Sequence, residues 1–247
     1  MNGGLGPTRL KCRLMRRAAL VIAWFMMSAW ATAAQARQPV VVELFTSQGC
    51  SSCVAADKFL DKLADRPGVL ALTLAVDYWD YLGWNDTFAK PEFTARQRAY
   101  MTRLAMREVF TPQIVVDGKG QTAGSDQDKV EALIAQAMKA RSKPPSIRLL
   151  RHARVTVGHG SAAPGAPADV WMVRYDPSAQ EVVVKQGENR GQTLTQRNVV
   201  RELVRLGSWT GKPRIYSLPA SASGGALKTC ILVQAPKGGR ILAVLKT

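Results

Sequence analysis

Two largely apolar runs, Val40–Phe45 and Val69–Val76, enclose a segment in which Ala56, Phe59, Leu60 and Leu63 recur at the spacing of one helix face. A strand made almost wholly of apolar residues needs cover on both sides. Two such strands joined by a helix predict a parallel pair with a right-handed crossover. Farther on, Pro91–Met106 reads as a helix whose inner face is Phe93, Tyr100, Met101 and Leu104. Gln113–Val116 and Lys119–Ala123 flank Asp117-Gly118, a dipeptide that tolerates the positive φ of a tight hairpin. Ser125 with Asp128 resembles a capping box, and Val130, Leu133, Ile134, Ala137 and Met138 form the helical face behind it. The predicted order is strand, helix, strand, helix, hairpin, helix.

Arg141–Ser146, with Pro144-Pro145 at its centre, is a stiff connector, and it divides a first domain at 37–143 from a second at 147–247. Past it the pattern changes to short apolar runs between Gly and Pro loops: Arg154–Val157, Val170–Tyr175, Glu181–Lys185, Thr229–Gln234 and Ile241–Leu245. These predict a smaller, mainly antiparallel, sandwich-like β domain. Leu194–Leu206 suits a helix face through Val199, Val200, Leu203 and Val204, while its β-branched pair suits a strand, the reading preferred here.

The N-terminus reads as an export signal. A basic cluster, Lys11 to Arg17, precedes the apolar run Ala18–Ala34, and Ala34-Gln35-Ala36 supplies the small residues of a cleavage site, so residues 1–36 are expected to leave. Export, to the periplasm or beyond the cell, places the rest where cysteine pairs stay oxidised. Of the four cysteines, Cys12 goes with the signal, and Cys50, Cys53 and Cys230 remain: one pair and one leftover thiol. Cys230, within Ile231-Leu232-Val233, reads as an inert buried side chain.

Charge separates the two halves. Residues 37–247 hold 29 basic and 18 acidic side chains, and within them Ser146–Thr247 holds 15 against 5. Such asymmetry favours anionic partners, for an exported chain an envelope surface or an acidic protein rather than nucleic acid. A merely solvated basic sheet face fits the same residues.

The chemistry-bearing stretch is Phe45-Thr46-Ser47-Gln48-Gly49-Cys50-Ser51-Ser52-Cys53, between the first strand and its helix. A cysteine at the first turn of a helix faces unpaired backbone N–H groups and the positive end of the helix dipole, which favour thiolate. Cys50 is the expected nucleophile, and Cys53 the partner that resolves a mixed disulfide. Protein thiols or disulfides are then the substrates, and no cofactor is called for. Two other readings stay open. Paired thiolates can hold a soft ion such as Cu(I), although His152 and His159 stand far along the chain and no third ligand is evident, so no metal site is assigned. The pair could also be a permanent staple in a non-catalytic binding module, although so short a loop gains little stability.

With these residues in view, the chain resembles the thioredoxin superfamily, through Val40–Phe45, the Cys50-Ser51-Ser52-Cys53 motif opening a helix, and Thr111-Pro112 before a strand. It is more closely similar to a family of exported thioredoxin-like proteins of unknown function, through ELFTSQGCSSC, DYWDYLGW, FTPQIVVDG, GENRG and RNVVRELVRLGSW. The resemblance implies an α/β thioredoxin-like domain ahead of the β domain. It also implies that Thr111-Pro112 is a cis-proline site facing the cysteines, where an extended substrate pairs with backbone, and that Glu43 is a buried acid relaying protons to Cys53. Val54-Ala55 departs from the proline pair common at that place. Asp77, Trp79, Asp80, Tyr81 and Trp84 crowd a short loop at the C-terminal end of the second strand, where open α/β sheets bind their ligands, and Trp79, Asp80 and Trp84 are the candidate substrate contacts. They form either a substrate lip or packing beneath the next helix. Gly187–Gly191 reads first as a tight turn.

Overall fold

The computed structural model describes residues 38–140, 143–162 and 166–247; the expected signal at 1–36 and residues 141–142 of the connector lie outside them. The described residues form β1 (Val40–Thr46), α1 (Cys53–Ala64), β2 (Val69–Ala75), α2 (Pro91–Arg103), β3 (Gln113–Val116), β4 (Gly120–Ala123) and α3 (Gln127–Lys139). Nine more strands follow: β5 (Ile147–Leu150), β6 (Arg154–Val157), β7 (Ala168–Asp176), β8 (Gln180–Val183), β9 (Thr193–Gln196), β10 (Val199–Trp209), β11 (Arg214–Ser217), β12 (Lys228–Gln234) and β13 (Ile241–Lys246).

Local expectations and tertiary structure part company here. β1 and β2 run parallel from Val40↔Val69 to Thr46↔Ala75, β3 returns antiparallel to β1, and the β3–β4 hairpin turns on Asp117 and Gly118, both with positive φ. The helix α3 is capped by Asp126, whose carboxylate accepts from Lys129 N–H, one residue beyond Ser125. The fold class, however, is not an α/β thioredoxin-like domain followed by a smaller sandwich-like β domain. The protein is mainly β, and strands from both halves build one eight-stranded mixed sheet in the order β13-β12-β7-β10-β2-β1-β3-β4.

The join that overturns the expectation lies between β2 and β10, parallel with Val199 opposite Thr73. Thr73 N–H donates to Asn198 O (3.0 Å), Thr73 Oγ1 to Arg197 O (2.7 Å), and Asn198 Nδ2 to Ala71 O (2.8 Å). Without this segment Thr73 N–H and Ala71 O would lose their partners at the open edge of β2. Residues Gln38–Thr247 accordingly make one compact unit.

One face of the sheet carries a core shared by both halves, in which Val41, Phe45, Leu72 and Leu74 meet Phe93 and Tyr100 of α2 and Tyr175, Val200 and Leu232. The other face carries two cores. On β1–β3, α1 and α3 contribute Ala56, Phe59, Leu60, Val130 and Ile134. On β7 and β12, the small sheet β11-β6-β5 contributes Val155, Val157 and Tyr216 around Trp209. Cys230 lies in the shared core with no exposure, and burial pushes its thiol up to about 12.

Candidate functional site

β1 delivers the chain to a tight turn, where Gly49 N–H donates to Ser47 Oγ (3.1 Å) and Cys50 N–H to Ser47 O (3.1 Å). Directly after it Cys50 and Cys53 are joined as a disulfide, with Cα atoms 5.4 Å apart, at the first turn of α1. Both residues are 0% exposed, although Ser51 and Ser52 between them are exposed, so the sulfurs are covered while the loop that bears them faces solvent. Ser52 Oγ stands 3.3 Å from Cys50 Sγ. A hydroxyl there can donate to the sulfur, and such a donor favours the thiolate of a reduced Cys50.

The loop after β2 braces the cysteine turn. Asp86 accepts from Gln48 N–H (2.6 Å), and Gln48 Oε1 accepts from Trp84 Nε1 (3.0 Å) and Thr87 N–H (3.2 Å). Asp80 Oδ1 accepts from Asp86 N–H (3.1 Å), and a side-chain carbon at Gly49 would meet Trp79 Cβ at 3.8 Å. Trp79, Asp80 and Trp84 therefore stand around the turn, while Asp77 bonds Thr94 of α2 instead (2.6 Å). Burial pushes the Asp86 carboxyl up to about 6, against the pull of the Gln48 and Phe88 N–H groups.

Thr111-Pro112 is a cis peptide. Pro112 comes beside Ala56, three residues past Cys53: a side-chain carbon at Gly124 would meet Ala56 Cβ at 2.9 Å and Pro112 Cβ at 3.1 Å. Glu43 is not brought to the pair. Side chains alternate along a strand; Val42 and Leu44 face α1, and Glu43 shares the opposite face with Val41 and Phe45. There it pairs with Arg96 Nε (2.5 Å) and accepts from Tyr100 Oη, with Gln234 of β12 bonded to both Arg96 and Tyr100.

Besides Asp86, a second buried acid near the cysteines is Asp57, one helical turn beyond Cys53 and thus on the same side of α1. It sits where β1, α1 and β9 meet. Gln196 Nε2 is 3.4 Å from Oδ2, whereas Asp57 Oδ1, Thr46 Oγ1 and Gln196 Oε1 have no hydrogen-bond partner among the described residues. Burial pushes its carboxyl up to about 7; the Thr46 hydroxyl, near enough to ease the charge though without hydrogen-bond geometry, and Gln196 act against that, and Asp86 adds a smaller repulsion. The i, i+4 spacing from Cys53 was available in the sequence as a signal, but the burial of Asp57 depends on β9.

The turn at Gly187–Gly191, joining β8 to β9, lies on the cysteine loop. Asn189, itself buried, donates from Nδ2 to Gln48 O (2.9 Å) and Cys50 O (3.0 Å), and Glu188 Oε2 accepts from Ser51 N–H (2.9 Å). Among the described residues no three His, Cys, Asp or Glu side chains gather in a metal-binding group.

A family model described as "Protein of unknown function (DUF1223)" matches residues 41–234. The chain is similar to the crystal structure of a protein from Agrobacterium tumefaciens, 31% identical with a TM-score of 0.69, the alignment covering 86% of this chain and 95% of that one. None of the curated proteins matches it.

Proposed function

Because the chain belongs to the DUF1223 family, whose function is unknown, its chemistry has to be sought in the site, and we propose that it is an exported thiol-disulfide exchange protein working through Cys50 and Cys53. The disulfide at a strand-to-helix turn is the observation that carries this reading. It agrees with the likeness of the motif and of Thr111-Pro112 to thioredoxin-superfamily sites. A partner thiolate attacks Cys50 Sγ, the Cys50–Cys53 bond breaks, and the electron pair leaves on Cys53. In the reverse direction reduced Cys53 attacks a mixed disulfide on Cys50 and frees the partner.

The N–H groups opening α1 and the Ser52 hydroxyl stabilise a Cys50 thiolate. Asp57, with an acidity near neutral and a turn behind Cys53, is suited to take the Cys53 proton and return it. Trp79 and Trp84 stand beside the turn that carries the pair, and Pro112 lies near Ala56 of the helix that follows it, which makes these three the candidates for contact with a partner chain. The basic excess of the second half draws anionic partners, an acidic protein or an envelope surface, by long-range attraction.

A test is turnover on a disulfide-bonded reporter protein: Cys50→Ser abolishes it, and Cys53→Ser accumulates a mixed disulfide at Cys50. Unchanged turnover in Cys50→Ser sinks the proposal. A second reading, a closed staple in a binding module, is favoured by the complete burial of both sulfurs. It predicts that Cys50 resists alkylation after mild reduction at neutral pH, and that a double Cys→Ser variant keeps its partner.

A further inference from the structure

The helix that carries the cysteine pair lacks the usual anionic complement at its N-terminus. Ser52, at the cap position, makes no side-chain capping bond, and the first turn of α1 contains no acid. The negative group at this helix end arrives from far along the chain, as Glu188 Oε2 on Ser51 N–H (2.9 Å). Glu188 is held there by its neighbour: both amide hydrogens of the buried Asn189 are committed to Gln48 O and Cys50 O, and its Oδ1 accepts from Gln192 Nε2 (3.3 Å). Gly187 supplies the positive φ (+79) that this turn needs, and the turn lies in van der Waals range of Trp84 and Gly49.

Resting on the reading of Cys50–Cys53 as an exchange couple, we propose that Glu188 is a positioning residue that sets the redox poise of the pair. Its carboxylate takes the Ser51 N–H just ahead of the Ser52 cap and sets a negative charge at the end of α1 where the Cys50 thiolate forms, and Asn189 anchors it in place. When the pair is a disulfide, Cys50 carries no charge, and Glu188 alone occupies the positive end of the helix. When the pair is reduced, the Cys50 thiolate becomes a second anion at that end. Glu188 thereby favours the disulfide and weakens the protein as an oxidant. The Ser51 N–H group already holds the Glu188 carboxyl below the usual range, so the carboxylate is charged throughout neutral pH.

The test is the equilibrium between the full-length protein and glutathione. Two glutathione thiols give up two electrons and two protons: the first breaks the Cys50–Cys53 bond to form a mixed disulfide, and the second resolves it to glutathione disulfide and the dithiol. Charges at helix ends shift equilibria by roughly two- to fivefold, so Glu188→Gln should move the constant toward reduced protein by about that factor. The shift should shrink at high salt. The pH profile of Cys50 alkylation should move to lower pH in the same variant, a readout that a purely structural role for this exposed side chain would not change.

In an Asn189→Ala background, where the anchor is gone, Glu188→Gln should have little further effect. If Asn189→Ala does not fold, the single Glu188 variant decides. An unchanged constant in Glu188→Gln, or a shift toward the disulfide, overturns the inference. These constants do not depend on reporter turnover, so loss of the exchange reading and loss of the Glu188 role appear in different experiments.

Discussion

Asp57 and Glu43 are both buried acids at the N-terminal half of the sheet, but their surroundings give them opposite consequences. Among the described residues Asp57 pairs with no cation, and burial pushes its carboxyl from 3.8 to about 7. The native state therefore binds a proton that the unfolded chain releases, so this group's contribution to stability falls as pH rises from about 4 to about 7. Asp57→Asn should match the unsubstituted protein near pH 4 and exceed it above pH 8 by on the order of 3–4 kcal/mol. Urea unfolding at the two pH values checks this; equal stability at both would show that Asp57 titrates normally. Glu43 meets Arg96 and Tyr100 in a closed network. Glu43→Gln strands the Arg96 charge and should cost about 3–5 kcal/mol at neutral pH, whereas exchange at Cys50 in the surviving folded fraction should continue at an unchanged rate. The sequence placed an acid near the cysteines by resemblance, and it chose the strand. Val42-Glu43-Leu44 does not reveal which face will be covered by α1; that depends on register with β3. Asp57 stood at the helical spacing from Cys53, but nothing local distinguishes a surface Asp on α1 from one roofed by Gln196.

The elements legible in the sequence were those with short-range signatures: the crossover from β1 to β2, the Asp117-Gly118 hairpin, and α3 behind its polar cap. What stayed hidden was pairing between distant strands. Leu194–Leu206 divides at Asn198, which has φ +51, into β9 and β10, and this single residue also bonds Ala71 O and presents its carbonyl to Thr73. Asn tolerates the left-handed conformation, and its amide satisfies a buried carbonyl. Asn198→Ala removes both features and should cost about 2–3 kcal/mol. Asn198→Gly keeps the backbone freedom, so it should lose only about 1–2 kcal/mol, for the missing hydrogen bond. Chemical denaturation of the two variants measures the difference; an Ala variant no weaker than Gly would mean that backbone conformation contributes nothing at this junction. The same junction carries the site, because β9 brings Gln196 to Asp57 and its turn brings Glu188 and Asn189 to the cysteine loop.

At the scale of the whole molecule, the basic surplus legible in the second half is partly answered by acids of the first: Arg197 reaches Asp61 (3.2 Å) and Asp65 (2.7 Å) of α1. These exposed pairs add little stability singly, but with the shared core and the β2–β10 pairing they tie the two halves into one sheet. A division at Pro144-Pro145 into independent domains would allow each half to unfold on its own, whereas a sheet crossing that boundary links them. Tryptophans report on both halves: Trp79 and Trp84 stand beside the cysteine turn, and Trp209 fills the core under β11-β6-β5. With Trp79 and Trp84 replaced by Phe, the fluorescence of the second half should follow the same urea transition as far-UV circular dichroism of the whole chain, with one midpoint and one slope. Reduction of the disulfide should shift that single midpoint without splitting it. Two midpoints would separate the halves energetically, and the turn carrying Glu188 would then be able to leave the cysteine loop while β1 and α1 stayed folded.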